Sequence, residues 1–425
     1  MSYKNFKIAN GVDGIFIENT RFNTTVISLN FYLPLSFDSI TPNALLPYLL
    51  TSCSDEYRDY SELNLKLSML YGADIAVSVD KMRDVQHVKI AISVINDEFA
   101  FEKDESIVSK GLELLLSLIF EPIIENDQLS VSDTEREKRK LIEHIAGEIN
   151  DKRTFAKNRL MSIMFEGSPY GVSKYGSMEM AKEVTPADLY KAWQSMLNDA
   201  YIRVQVIGKS LPEGVFEGVA ERLSKYNRDN IVDYTACVPT QKAETVKEVT
   251  EFYDVAQGKL VMGFSSEVCG ENAFSFSVMA DIFGGGPYSR LFENVREKMS
   301  LCYYCSASAL RSKGLMLVQS GVEAENAEKA EKEILNQLEL VRKGKFSDFA
   351  FEASKKAIIG SLKAYNDSVS ALDRWYSSAI MRETLLTPEK AIDKISEITR
   401  QDIIDAAKGI SLNTVYKLMP KEESK

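Results

Sequence analysis

Phe283-Gly-Gly-Gly-Pro-Tyr-Ser-Arg-Leu-Phe-Glu-Asn-Val-Arg-Glu-Lys-Met-Ser-Leu-Cys-Tyr303 is the stretch on which the reading of this chain turns. Its glycines, Gly284, Gly285 and Gly286, can adopt positive φ and so end the apolar helix expected over Asn272–Phe283. Pro287 then begins a turn, and Ser289–Lys298 has the pattern of a short helix that stops near Ser300. A glycine run can also cradle a phosphate. No Gly-Lys-Ser/Thr follows this one, however, and its glycines lack the spacing of a dinucleotide-binding turn, so a phosphate role is set aside. Working outward, Lys259–Ser265 precedes the helix as a strand, and Tyr303–Leu310 and Gly314–Val322 follow as strands. Ala327–Leu340 and Asp348–Arg382 read as long helices. Thr399-Arg-Gln-Asp then opens a helix that leads into the strand Asn413–Leu418.

The same order runs through the first half. Gly14-Ile-Phe-Ile-Glu and Thr24-Thr-Val-Ile-Ser-Leu-Asn-Phe-Tyr-Leu-Pro34 are rich in β-branched and aromatic residues and read as paired strands. Asn43–Ser52 is expected to be a buried helix and Tyr60–Leu70 an amphipathic one that stops at Tyr71-Gly72. Asp74–Val79 and Val85–Ile95 alternate like strands, and Ser106–Phe120 and Ser132–Leu160 are long helical patterns. Thr185-Pro-Ala-Asp opens a further helix, which leads to the strand Tyr201–Ile207. Two local echoes support a duplication: Val184-Thr-Pro-Ala-Asp-Leu with Ile398-Thr-Arg-Gln-Asp-Ile, and Asn150-Asp151 with Asn366-Asp367, at nearly equal separations. The expectation is an α+β chain of two homologous domains, 1–225 and 240–425, each an antiparallel-rich sheet packed against several helices. Ser210–Lys247, where Gly, Pro and charge interrupt the pattern, holds the boundary. Two unrelated α/β domains are the other organisation compatible with the length.

The composition narrows the function. With 45% hydrophobic and 27% charged residues the chain is globular rather than disordered. A formal net charge of −11 repels a phosphate backbone, and no Lys/Arg block with interleaved aromatics compensates it, so nucleic acid is not an expected partner. No apolar stretch approaches the length of a membrane span. The polar start, Met1-Ser-Tyr-Lys-Asn-Phe-Lys, does not have the pattern of a secretory leader, and five cysteines in a long chain suit a reducing compartment. Cytoplasm is the expected location.

The segment Phe283–Tyr303 resembles the second-domain signature of the insulinase/pitrilysin family of zinc metallopeptidases, which includes the mitochondrial processing peptidases. That signature is a glycine run, then Ser-Arg-Leu-Phe, Arg-Glu-Lys, Leu and an aromatic strand, and both order and spacing match here. The resemblance implies that the two domains form half of a clam-shell chamber. It also implies that Arg296 and Tyr303, seven residues apart, hold the backbone of a substrate peptide, a task suited to a fork of guanidinium donors and a phenol. Unaided by the resemblance, Arg296 reads as a solvated helix charge and Tyr303 as a half-buried strand residue.

The family's metal site is what this chain does not match. Its peptidases carry His-x-x-Glu-His on the helix that Asn43–Ser52 resembles, with both imidazoles on one helix face toward zinc and the Glu as general base. The corresponding window here is Asn43-Ala-Leu-Leu-Pro-Tyr-Leu-Leu-Thr-Ser-Cys53, in which Pro47, Tyr48, Leu50 and Thr51 occupy the metal-site region. No residue from Ser39 to Ser54 is ionisable as Asp, Glu, His, Lys or Arg. The only histidines, His87 and His144, are too far apart to stand one helical turn from each other. Glu137 and His144 fall in the helix that resembles the one carrying the family's remaining Glu ligand, with His in place of a second Glu. By itself His144 reads as a solvated helix residue and His87 as a strand surface residue. Cys302-Tyr-Tyr-Cys305 lies on an expected strand with no second pair at zinc-ribbon spacing and reads as packed thiols, and Cys53 and Cys269 have no nearby His to activate them.

The expectation is therefore a catalytically inactive homologue that holds no metal or cofactor. It is expected to pair with a zinc-bearing homologue as a heterodimer, or with itself as a homodimer, and to bind peptides. The alternatives are a structural or regulatory interaction module that no longer touches peptide, and an active enzyme with a new site.

Overall fold

The computed structural model describes residues 2–102, 105–231, 239–270, 273–378 and 385–421. The expected helix ends at Asn272 and Arg382 lie outside these residues. The chain forms two compact units, and neither is contiguous in sequence. The first comprises Met1–Ala146, Ser173–Tyr234 and Ser368–Ser378; the second comprises Gly147–Val172, Thr235–Asp367 and Ala379–Lys425. The expected stretches 1–225 and 240–425 supply most of each unit, and each unit also contains a helix from the other half.

The strands, in chain order, are β1 (Tyr3–Ala9), β2 (Val12–Glu18), β3 (Thr24–Pro34), β4 (Asp74–Met82) and β5 (Val85–Ile95). A two-residue hairpin, β6 (Ile124–Glu125) and β7 (Gln128–Leu129), is followed by β8 (Tyr201–Gly208). The second half adds β9 (Lys247–Tyr253), β10 (Gly258–Ser266), β11 (Cys302–Leu310), β12 (Leu315–Val322) and β13 (Ile410–Pro420). The sheet of the first unit has the order β1-β2-β8-β3-β5-β4, and that of the second, read from the equivalent edge, β9-β13-β10-β12-β11. In each sheet one pair is parallel, β2 with β8 and β9 with β13, and the other pairs are antiparallel. Leaving β1 aside, order and direction coincide strand for strand, which is the signature of two homologous halves.

The local echoes have a structural cause. Thr185 and Thr399 both close capping boxes: each hydroxyl receives the N–H three residues on, and Asp188 or Asp402 accepts from the threonine N–H at 3.0 and 2.8 Å. Asn150-Asp151 and Asn366-Asp367 mark breaks. The pattern read as one helix over Ser132–Leu160 is two, Val131–Gly147 and Lys152–Met164, with a 3-10 turn between. The Asp151 carboxylate stops the first run by accepting the N–H groups of Arg153 and Thr154, which makes it the cap of a new helix. The pattern from Asp348 onward breaks likewise into Asp348–Ala364 and Val369–Ser377, the latter capped by Ser368. At both breaks the chain passes from one unit into the other.

Each sheet buries both faces. On β3 the odd-numbered Ile27, Leu29, Phe31 and Leu33 join the main core with the helices Ile40–Leu50, Ile107–Phe120 and Pro186–Asn198. The even-numbered Ser28, Asn30 and Tyr32 face the helix Val369–Ser377. In the second unit the helix Lys152–Met164 takes the equivalent place: its Ala156 and Leu160 pack on Val261, Leu315, Leu317, Tyr416 and Leu418. Gly263 allows this approach, since a Cβ there would stand 2.8 Å from the Met164 sulfur.

Candidate functional site

The helix Ile40–Leu50 contains two prolines and no Asp, Glu, His, Lys or Arg, and every residue in it except Tyr48 is buried. Pro47 supplies no N–H; its carbonyl is used instead, accepting the Thr51 hydroxyl at 2.8 Å. Pro47 and Leu50 are enclosed in the protein interior. Tyr48 turns the other way and lines two cavities of the first unit, of about 280 and 540 Å³, that share Tyr48, Glu137 and Lys140. His144 and Tyr175 line the smaller cavity and Thr51 the larger. Four of the six residues of the expected metal-site region, Tyr48, Thr51, Glu137 and His144, thus come together, and two do not.

Their chemistry does not suit a zinc ion. The buried Glu137 carboxylate already accepts Arg136 Nε at 2.9 Å and Lys140 Nζ at 2.8 Å, both on one oxygen. A cation binding there has to displace two charge-assisted hydrogen bonds. Burial, reinforced by the neighbouring Tyr175 hydroxyl, pushes the Tyr48 phenol up to about 12, so it keeps its proton at neutral pH. The His144 ring stands edge-on to Tyr175, with centroids 4.9 Å apart. Catalytic zinc takes three protein ligands. Among the described residues no group of three His, Cys, Asp or Glu side chains is arranged to hold a metal. Lys140 and Tyr175 did not emerge from the sequence, although Lys140 stands one helical turn from both Glu137 and His144 and so shares their face.

His87 is not a strand surface residue as expected. It is buried, stacks on Tyr32 with ring centroids 4.7 Å apart, and faces Asn30 Oδ1 across 3.0 Å from Nε2. Burial, with the Lys89 charge adding, lowers its pKa to about 3, so the ring is neutral. It belongs to the polar layer beneath the helix Val369–Ser377.

In the second unit the glycine run ends the helix Phe274–Gly284 as expected, but not through positive φ. Its glycines answer to space: a Cβ on Gly284 would lie 2.4 Å from the Ala307 backbone nitrogen, and one on Gly285 2.1 Å from the Asp281 carboxylate. Leu291–Lys298 follows as a π-helix capped by Met299, and Ser300 just beyond it is a non-glycine residue with φ of 51°. Arg296 lies near its end, partly exposed, with its guanidinium 4.6 Å over the Phe292 ring and 3.6 Å from the Glu297 carboxylate. Tyr303 is 60% exposed, not half-buried, because β11 bulges there: Cys302 faces Val322 and Tyr304 faces Gly321, leaving Tyr303 without an opposite number. Its hydroxyl donates to Glu323 Oε1 at 2.7 Å, and that carboxylate raises the phenol's pKa. β11 is an edge strand of its sheet. Cys269 is disulfide-bonded, which an all-thiol reading of the cysteines does not accommodate, whereas Cys53, Cys302 and Cys305 are free.

Comparison with known proteins agrees with this architecture. The Peptidase M16 inactive domain matches residues 183–358. The "Probable inactive metalloprotease YmfF" of Bacillus subtilis is 27% identical over 415 residues, covering 97% of this chain and 96% of that one. Among solved structures, a conserved protein from Enterococcus faecalis superposes with a TM-score of 0.91 at 26% identity, each chain covered completely. A Peptidase M16 inactive domain from Pseudomonas fluorescens, at 16% identity, shares the fold over 100% of both chains with a TM-score of 0.78. No helix among the described residues is long and apolar enough to cross a membrane. Over nearly its whole length the chain is thus similar to M16-like peptidase homologues, among them proteins described as inactive, and it has the fold of two homologous halves.

Proposed function

We propose that this protein is the non-catalytic subunit of a two-subunit peptidase, located in the cytoplasm, which binds peptide through Arg296 and Tyr303 and relies on a zinc-bearing homologue for cleavage. The observation that carries the reading is the helix Ile40–Leu50: where the family places two imidazoles and a general base, this chain has a buried apolar helix, and Glu137, which lines both cavities beside Tyr48, is committed to Arg136 and Lys140. Arg296 and Tyr303 remain exposed on their unit, so a peptide carbonyl or amide has access to both. A chain with that pair and without the family's zinc ligands supplies substrate contacts and leaves the chemistry to its partner.

The test is reconstitution. Purified chain is mixed with its zinc-bearing homologue, and cleavage of a peptide library is followed. Arg296→Ala and Tyr303→Phe are expected to lower kcat/KM of the pair by about tenfold each, the value of one or two lost hydrogen bonds to substrate. A specific observation favours the alternative of a structural or regulatory module: the Tyr303 hydroxyl is engaged by Glu323 and the Arg296 guanidinium by Phe292. If both variants support cleavage like the parent while omission of the chain abolishes it, the module reading holds. If the two chains neither associate nor alter each other's activity at micromolar concentration, the heterodimer fails.

A further inference from the structure

Cys302 and Cys305 are three residues apart on β11, a spacing that in a regular strand sends side chains to opposite faces. The bulge at Tyr303 removes one residue from the count. Cys302 stands opposite Val322 and Cys305 opposite Ser320, so both cysteines project to one face. Their partners are two residues apart on β12, which sets the Cα separation of the cysteines at roughly 6.6 Å, twice the strand rise. That lies within the ~4.4–6.8 Å that a disulfide spans. The thiols are hydrogen-bonded to each other, and both meet the Ser320 side chain, whose hydroxyl donates to the Tyr304 carbonyl at 2.9 Å.

We infer that Cys302 and Cys305 form a redox-responsive dithiol that closes to an intrachain disulfide by exchange with low-molecular-weight disulfides. The two sulfurs have different environments. Cys305 is buried, while Cys302 is only partly so. The hydrogen bond from Cys305, with Ser320 and the Arg296 charge adding, holds the Cys302 thiol below the usual range, to about 7. The same partnership and burial push Cys305 well up. Cys302 is therefore the attacking sulfur and Cys305 the resolving one. The Cys302 thiolate attacks one sulfur of a disulfide R–S–S–R, forming a mixed disulfide and expelling one RS⁻. Cys305 gives up its proton and attacks Cys302 Sγ, expelling the second RS⁻. Two electrons pass from the cysteine pair to the small disulfide, and the two thiol protons end on the two RSH released. The new bond spans Tyr303. Any consequence for peptide binding rests on the reading of Arg296 and Tyr303 given above, whereas the thiol chemistry does not.

The experiment incubates the reduced full-length chain with oxidised glutathione at pH 7.5, traps free thiols with iodoacetamide, and maps each cysteine by mass. Expected is a peptide two hydrogens lighter, joining Cys302 to Cys305. Cys305→Ser should instead accumulate glutathione on Cys302, and Cys302→Ser should leave Cys305 unmodified. Without oxidant, Cys302 should alkylate at least about tenfold faster than Cys305 and Cys53; burial raises the Cys53 thiol, which makes it the internal control. Stable glutathionylation of Cys302 in the parent chain, or no reaction at either cysteine, overturns the inference and leaves the peptide-binding reading untouched.

Discussion

The two exchanged helices do the same architectural task with opposite chemistry. Lys152–Met164 covers its sheet with an apolar centre, Ala156 and Leu160 against Val261, Leu317 and Leu418, while at its more exposed positions Arg153 reaches Gln319 and Ser306 and Arg159 reaches Glu251. Val369–Ser377 covers its sheet through a buried charge. Asp373 accepts Lys89 Nζ at 2.6 Å, the Ser28 hydroxyl at 2.6 Å and Gln205 Nε2 at 2.7 Å, and the Tyr32 hydroxyl donates to the Ser377 carbonyl. Apolar packing is tolerant of position and insensitive to salt and pH. A buried ion pair with three donors on one carboxylate accepts one arrangement only, and it costs desolvation that the hydrogen bonds must offset. The duplication preserved strand order, helix breaks and capping boxes, but not the chemistry by which the halves receive each other's helix.

The comparison breaks most sharply at Asp373. Asp373→Ala leaves the partly buried Lys89 ammonium without its carboxylate, and Ser28 and Gln205 without their acceptor. It should cost about 3–5 kcal/mol in the first unit, read by hydrogen exchange at β3 and in the helix Val369–Ser377, with the second unit unchanged. Converting the contact to the apolar kind, with Lys89→Met and Asp373→Leu together, should recover more than half of that loss. No recovery would mean that the network does more than hold the helix. Leu160→Ala in the second unit should cost about 2–4 kcal/mol through the cavity it leaves, with no dependence on salt.

How much of this was legible in the sequence follows from what each signal depends on. The β-branched and aromatic content of β3 and the apolar run of Ile40–Leu50 are local, and both were readable, whereas the pairing of β3 with β2 was not, since β8, from far along the chain, lies between them. The helix breaks were not, although Asn150-Asp151 and Asn366-Asp367 stood out as echoes: a continuous helical period hides a cap whose reward is a tertiary contact. β1 and β9 escaped notice because each is a mixed-polarity strand at the edge of its sheet. His87 was misplaced because what covers it arrives from nearly three hundred residues away. In the candidate site the missing zinc ligands were plain from residue types alone, while Lys140 and Tyr175 became visible only when the cavity was closed around them. The common face of Cys302 and Cys305 depends on a bulge that no spacing rule reveals.

The smallest expected effect sharpens the same contrast. His87 is neutral in the folded chain down to about pH 3 and takes a proton near pH 6.5 when unfolded. The unfolded state thus binds the extra proton, and stability falls as pH drops below about 6.5. Between pH 7 and 5.5 the first unit should lose ~1 kcal/mol, a loss that His87→Gln should flatten and that the second unit should not share.

The most direct test of the proposed non-catalytic role is hydrolysis of a peptide library by the isolated protein, with zinc, with a chelator and with neither. Expected is no cleavage above the buffer blank in any arm, because Glu137 is held by two cations and no imidazole stands on the helix Ile40–Leu50. Cleavage by the isolated chain that a chelator abolishes and zinc restores would contradict it.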